Sequence, residues 1–324
     1  MQLIAPDYYN QFQCIADRCI HSCCIGWEID IDRDTREKYR CLSGSFADRL
    51  NHSICDDDEG AHFQLDAQER CPMLNKSGLC DLITNLGEDM LCQICADHPR
   101  FRNFFSGRTE IGLGFCCEAA VQLALFRREP TRFIILSDDG AIDLKAARHP
   151  LLRSEKIVPI DIRLPQDEET LLKQRDFLIS ILQNRNIPLH TRLEQVLQAV
   201  GMSLPPSDWE KVYRSLEQLD DAWDARLSRL KGKDLSVPLP IYDAHAIPLE
   251  QLAVYLLFRH LPGALEDGDL AGRAAFCVLS VRVIAALCPE ECSDGTLAEI
   301  VRMYSAEIEY SQQNIDALLD EMWS

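Results

Sequence analysis

The chain has 324 residues, 47% hydrophobic and 26% charged, enough to bury a sizeable core as one large domain or two modest ones. Its 33 basic and 52 acidic residues leave a net charge of −19, a field that repels phosphate and counts against nucleic-acid binding. We find no run of about 18 apolar residues to span a bilayer, and the opening MQLIAPDYYNQF lacks the basic and apolar regions of a signal peptide. No transmembrane segment and a cytoplasmic location are therefore expected.

Taken in chain order, residues 1–126 are expected to be an irregular, cysteine-rich domain. Glycines, cysteines and the acidic run Asp56-Asp57-Asp58-Glu59 interrupt any long periodic pattern, so a metal has to staple the segment. Residues 127–166 read as a connector. Within it Phe133 to Leu136, an Asp139-Gly140 turn and Ala141 to Leu144 suggest a hairpin. From residue 167 to 324 the pattern is helical. Leu171, Leu172, Phe177, Leu178, Ile181 and Leu182 recur at helical spacing, and Leu193 to Val200 continue until Gly201 stops them. Ser207 with Glu210, and Thr296 with Glu299, predict capping boxes. The second of these opens one final helix through Leu318, after two apolar stretches at Leu249 to Leu261 and Ala271 to Leu287. The fold class is thus mainly α, a metal-stapled N-terminal region followed by an all-helical bundle.

Cysteine usage says more about function. In a reducing compartment a dense cysteine set argues for metal ligation over a disulfide framework. Twelve of the fifteen cysteines lie between Cys14 and Cys117. They run Cys14-x4-Cys19-x3-Cys23-Cys24, Cys71-x8-Cys80, Cys92-x2-Cys95 and Cys116-Cys117, with Cys41 and Cys55 between. A two-residue gap lets a tight turn aim both thiolates at one centre. All-thiolate sets suit zinc or iron–sulfur clusters, and with four ligands needed per centre, two centres or one centre with spare thiols both fit. Cys41, Cys277, Cys288 and Cys292 read as small buried hydrophobes, and Cys55 as a loop residue beside the acidic run.

Several other motifs fail. The C-x3-C-x2-C loop of radical S-adenosylmethionine enzymes is met by Cys19 and Cys23 but has Gly26 at its third position. Neither a G-x-G-x-x-G turn after a strand, a phosphate-binding G-x-x-x-x-G-K-[ST] loop, a G-x-S-x-G elbow nor an H-E-x-x-H helix is present. Nothing in the residues alone identifies a methyl-donor pocket.

The run Tyr8-Tyr9-x2-Phe12-x-Cys14-Ile15-x3-Cys19-x3-Cys23-Cys24-x-Gly26-Trp27-x-Ile29-x-Ile31-Asp32 resembles the opening of the flagellin lysine-N-methylase family. Cys71-Pro72-Met73-Leu74, Gly78-Leu79-Cys80, Leu86-Gly87-Glu88, Leu91-Cys92-x2-Cys95 and His98-Pro99-Arg100 extend the likeness. Cys116-Cys117-Glu118-Ala119-Ala120 stands where that family has Cys-Pro-Glu-Ala-Ala, which makes Cys116 the expected ligand and Cys117 the departure. The likeness covers about residues 8–125. It implies methyl transfer from S-adenosylmethionine to lysine ε-amino groups of flagellin, with a cysteine-held four-iron–four-sulfur (4Fe-4S) cluster. Cys14, Cys19, Cys23, Cys24, Cys71, Cys80, Cys92, Cys95 and Cys116 are the candidate metal ligands. The chain is also similar to a wider set of zinc- or iron-chelating cysteine-cluster proteins, which would leave the reaction open.

Inside the matched motifs, Tyr8, Tyr9, Asp32 and Glu118 are candidates to deprotonate or position a lysine. Arg100 and Arg102 are candidates to balance a thiolate-ligated cluster or hold a cofactor carboxylate. His21 and His98 stand close enough in sequence to assist the ligands, and Trp27 reads as a core anchor. A second reading is a non-catalytic zinc- or iron-binding module whose helical half binds a protein partner. It needs only the cysteines, whereas the Gly26-Trp27 run and the His98-Pro99-Arg100 turn favour the enzyme.

Overall fold

The computed structural model describes residues 2–57, 60–136, the backbone of 142–143, 167–241 and 243–324. Its strands are β1 (Gln2–Pro6), β2 (Asp30–Ile31), β3 (Ile54–Asp56), β4 (Ala61–Phe63), β5 (Arg100–Phe104), β6 (Arg108–Leu113), β7 (Phe133–Leu136) and β8 (Ile142–Asp143). The helices are α1 (Arg33–Arg40), α2 (Ser45–His52), α3 (Asp81–Leu86), α4 (Gln93–Asp97), α5 (Glu118–Leu125), α6 (Glu168–Leu182) and α7 (Leu189–Ala199), then α8 (Trp209–Ser215), α9 (Asp221–Leu227), α10 (Asp243–His260), α11 (Ala264–Asp267), α12 (Leu270–Leu287), α13 (Asp294–Tyr304) and α14 (Gln312–Glu321). The protein is mainly α.

It divides into two compact units. One comprises residues 1–12, 102–116 and 120–324; the other comprises 13–101 and 117–119. The division therefore does not fall at residue 126, and the reason is the first strand. In the larger unit β1 runs parallel to β6, with Gln2 opposite Arg108, and antiparallel to β7, with Leu3 opposite Leu136, so it is the centre of a sheet ordered β5-β6-β1-β7-β8. Strands β7 and β8 pair as the expected hairpin, Ile135 opposite Ile142, while its Asp139-Gly140 turn lies outside the described residues.

The larger unit packs α10 and α12 at its centre, with α12 also against α7, α13 and α14. By length and composition α12 is apolar enough to cross a membrane, but 94% of it is buried inside the fold. It is a core helix with no polar face, buried from Leu270 through Leu287 except at Ala285. Two carboxylates buried in this packing are each paired with arginines, so neither is left as an uncompensated buried charge. Glu110 on β6 receives Arg175 through two hydrogen bonds of 2.6 Å and Arg108 at 2.5 Å. Glu250 on α10 receives Arg185 at 2.8 Å and Arg192 at 2.6 Å.

Helix starts differ in detail from the expected capping boxes. Asp208, not Ser207, caps α8 by accepting from Lys211 N–H, and Ser207 donates to Glu321 instead. Ser293, not Thr296, caps α13: its extended backbone precedes the first turn and its hydroxyl accepts from Thr296 N–H at 3.2 Å. The single final helix is also broken. A π-turn at Ser305–Glu309 follows α13, and Ser311 caps the separate α14. The extra residue in that turn carries Glu309 inward, where His260 Nε2 lies 2.7 Å away and Tyr255 donates at 2.9 Å.

The smaller unit is not irregular, as expected from its sequence, but built of elements two to eight residues long. Such short elements cannot show a helical or strand period. Strands β2, β4 and β3 form an antiparallel sheet in that order. Its core gathers Ile29, Ile31, Tyr39, Leu50, Phe63, Met73 and Leu82 together with Cys71 and Cys92. Arg36 of α1 holds Asp56 of β3 through bonds of 3.0 and 2.8 Å, and also donates to Asn51 of α2. That guanidinium keeps the Asp56 carboxyl down to about 2.

Candidate metal centre

Two groups of thiols form within the smaller unit. In the first, Cys71 and Cys92 sit in the core, and Cys24, Cys80 and Cys95 pack against it half-buried. Backbone pairing brings their segments together: Cys71 N–H donates to Cys24 carbonyl at 2.8 Å, and Leu74 bridges Cys80. Cys80 precedes α3 and Cys92 precedes α4, so both present sulfur at the positive end of a short helix. Burial pushes Cys71 up to about 12, and the potential of Cys24, Cys80 and Cys92 adds to it. Burial also raises Cys80, against donation from Ile83 and Leu82 N–H. Cys92 and Cys95 share a hydrogen bond that lowers Cys92 and raises Cys95.

The second group is Cys14, Cys19, Cys23 and Cys117. Cys19 is pushed up to about 12, by burial first and then by the negative charge of Glu118, Cys117 and Cys14. Cys14 and Cys117 bear on Cys23 as well. A Cys23–Cys24 hydrogen bond joins the two groups and, with Ser22 and Arg70, holds Cys24 down to about 7 despite burial. Four chain segments thus bring nine thiols together. All-thiolate donors of this kind suit zinc or iron–sulfur chemistry, and protonated thiols would have to release protons on loading, so affinity rises with pH.

Eight of the nine expected ligands lie in these groups, and the ninth position differs. Cys116 belongs to the larger unit, where its thiol and the Tyr310 hydroxyl share a hydrogen bond; the neighbour of Cys19 and Cys23 is Cys117. The structure thus places Cys117, and not Cys116, within the second thiol group.

Glu118 stays with the second group as a clasp. Its Oε2 accepts from Ile20 N–H at 3.1 Å and His21 N–H at 3.3 Å, fixing the loop that carries Cys19 and Cys23. Asp32 also accepts from backbone amides: Oδ1 from Thr35 N–H at 2.9 Å and Oδ2 from Gln93 N–H at 2.7 Å, so one carboxylate caps both α1 and α4.

With this geometry in view, the chain is similar to a protein described as lysine-N-methylase from Salmonella typhimurium, 25% identical over 118 residues, 35% of this chain and 29% of that protein. The protein of the same description from Salmonella choleraesuis matches to the same extent. The flagellar biosynthetic protein FliU of Salmonella muenchen is 25% identical over 162 residues, 46% of this chain and 87% of that protein. The relationship is distant. The chain spans less than a third of the length of the lysine-N-methylase proteins it matches. No family model matches the chain, and no solved structure does.

The remaining expected site residues are divided between the two units. Tyr8 and Tyr9 belong to the larger unit; Tyr8 is buried, with Arg127 5.2 Å over its ring. Arg102 also falls in the larger unit, and Arg100 donates to Ala96 carbonyl at 3.3 Å. Arg70, next to Cys71 in sequence, is a cation that bears on Cys24. His98 stacks on Trp27 at 6.3 Å, and burial, then Arg100, lowers it to about 4, so it is neutral. Trp27 donates to Cys23 carbonyl at 2.7 Å, an anchor under the loop as expected. Tyr39 went unnoticed in the sequence. It is buried against Cys92, Cys95 and Cys80 and donates to Met90 carbonyl at 2.7 Å. Among the cysteines expected to be small buried hydrophobes, Cys277 is buried, Cys41 is exposed, and Cys288 and Cys292 are half-buried free thiols that share a hydrogen bond.

Proposed function

We propose that this chain is a cytoplasmic protein-lysine methyltransferase, moving the methyl group of S-adenosylmethionine to lysine ε-amines of flagellin, with a 4Fe-4S cluster held by the cysteine-rich unit. The observation that carries the reaction is the distant relationship to the Salmonella lysine-N-methylase proteins, joined by the likeness to FliU. The gathered thiols support the metal. Cys24, Cys71, Cys80, Cys92 and Cys95 supply more than the four ligands a cluster takes. When bound, such a cluster supplies redox or Lewis-acid chemistry. In methyl transfer the neutral amine forms the new N–C bond as the donor's C–S bond breaks, and the ammonium proton has to leave first. Glu118 and Asp32 are committed to backbone amides, so their part in this reading is to hold the thiol-bearing segments in place.

The test is transfer of labelled methyl groups from S-adenosylmethionine to purified flagellin, comparing the intact protein with Cys19→Ala and Cys92→Ala. Loss of transfer in both variants is the expected result. Full activity in either removes that residue from the site, and no transfer by the loaded intact protein overturns the reading. Anaerobic purification separates the alternatives in metal: brown protein with broad visible absorption supports the cluster. Colourless protein with stoichiometric zinc supports the non-catalytic module.

A further inference from the structure

The β3–β4 hairpin of the smaller unit carries another donor set, outside both thiol groups. The antiparallel register places Cys55 directly opposite His62, so these side chains leave the same face as cross-strand neighbours. Asp57 stands two residues beyond Cys55 and, by strand alternation, on that same side. Its N–H donates to Gly60 carbonyl at 3.0 Å and its Oδ1 accepts from Gly60 N–H at 3.1 Å, which closes the hairpin around it. Ligand atoms of Cys55, Asp57 and His62 all lie within 4.8 Å of one another. His62 Nδ1 is 3.7 Å from Asp57 Oδ2 and 3.8 Å from Glu28 Oε1, a residue just ahead of β2.

We propose that Cys55, Asp57 and His62, with Glu28 as fourth ligand, form a zinc site separate from the thiol groups. Around a tetrahedral zinc, neighbouring ligand atoms stand roughly 3.3–3.8 Å apart, given bonds of about 2.0–2.3 Å. The two contacts of His62 already have that spacing. The donor set is one thiol, one imidazole and two carboxylates, which suits a borderline-soft ion with no geometric demand of its own. Magnesium or calcium would leave the sulfur unused. Three anionic ligands leave the loaded site with one net negative charge. The adjacent Asp56 is already taken by Arg36 and Arg40. Zinc here ties β3, β4 and the approach to β2 into one cross-linked sheet, displacing the Cys55 thiol proton as it binds.

The full chain, with its own centre loaded, is freed of loosely held metal and titrated with zinc chloride alone. Bound zinc is counted by mass spectrometry, and iodoacetamide labelling of each cysteine is mapped with and without zinc. One further zinc should bind, and it should shield Cys55 while leaving the exposed Cys41 as reactive as before. Asp57→Asn and His62→Asn should each weaken this binding by more than the roughly 10–100-fold that loss of an outer partner costs. Iron or zinc held elsewhere should not change in either variant. Equal labelling of Cys55 with and without zinc in the unaltered protein overturns the site, whatever the variants do. So does undiminished zinc binding in both variants.

Discussion

Helix α12 and the segment from Cys71 to Cys95 order their residues by different means. The helix is 18 residues long and buries nearly every one of them. The segment contains helices of only six and five residues, and its fully buried side chains are Cys71, Met73, Leu82 and Cys92. A buried apolar side chain contributes about 1.5–3 kcal/mol, and fixing each residue's backbone costs about 1–2 kcal/mol. Apolar burial therefore offsets far more of that cost, per residue, in α12 than in the segment. Two of the four side chains in its core are thiols, so under the proposed metal binding it is metal–thiolate bonds that would supply the remainder.

Metal removal tests that contrast most severely. Structural zinc sites release about 10–16 kcal/mol on binding, far more than any single side chain. Anaerobic chelation should abolish hydrogen-exchange protection in α3 and α4 and leave α10 and α12 protected. If α3 and α4 keep their protection, the smaller unit does not depend on metal and the comparison fails.

The larger unit should break at its buried charges instead. Glu250 pairs with Arg185 and Arg192, and Glu250→Ala strands both guanidinium groups. Removing one partner of such a buried pair costs about 3–5 kcal/mol. The unfolding midpoint of the larger unit should drop accordingly, with metal content unchanged.

Acid should act on the same unit through Glu309. Burial pushes this carboxyl up, but Arg259 and the bond to His260 prevail and hold it down to about 2, against 4.5 when unconstrained. As pH falls the unfolded state takes up the proton first, so stability present above about 4.5 is lost progressively toward 2. That difference is worth on the order of 3 kcal/mol. Denaturant unfolding between pH 5 and 3 checks it: Glu309→Gln should flatten the decline, and an unchanged slope would rule Glu309 out as its source.

These tests follow the line between what the sequence makes legible and what it hides. The helical half was readable because α6, α7, α10 and α12 are long enough to display their apolar patterns, and β7–β8 because both strands show alternating or continuous apolar residues. The thiol groups were readable from spacing, since Cys92-x2-Cys95 and the Cys14 to Cys24 run place sulfurs close along the chain. That Cys117 is the neighbour of Cys19 and Cys23 was not, because which of two adjacent thiols a turn brings to a given loop depends on its geometry. Nor was the pairing of Cys55 with His62. Their proximity comes from strand register, and strands of three residues leave no periodic trace.

The smallest effect concerns Asp32, and it separates a structural part from a catalytic one. Each carboxylate oxygen accepts one helix-starting amide, Thr35 N–H for α1 and Gln93 N–H for α4. A lost cap costs about 0.5–2 kcal/mol, so Asp32→Ala should destabilise the smaller unit by roughly twice the cost of one cap. Asn keeps a single acceptor oxygen. Asp32→Asn can therefore hold one amide and not both, and should fall about midway. Burial pulls the Asp32 carboxyl up, but those two amides prevail and keep it below 3.8, so the full contribution is present above that pH and fades beneath it. Hydrogen exchange at the starts of α1 and α4 reads the two caps separately. A base acting on lysine would instead show loss of methyl transfer in Asp32→Asn with exchange at both helix starts unchanged. That result would move Asp32 from the frame of the site into its chemistry.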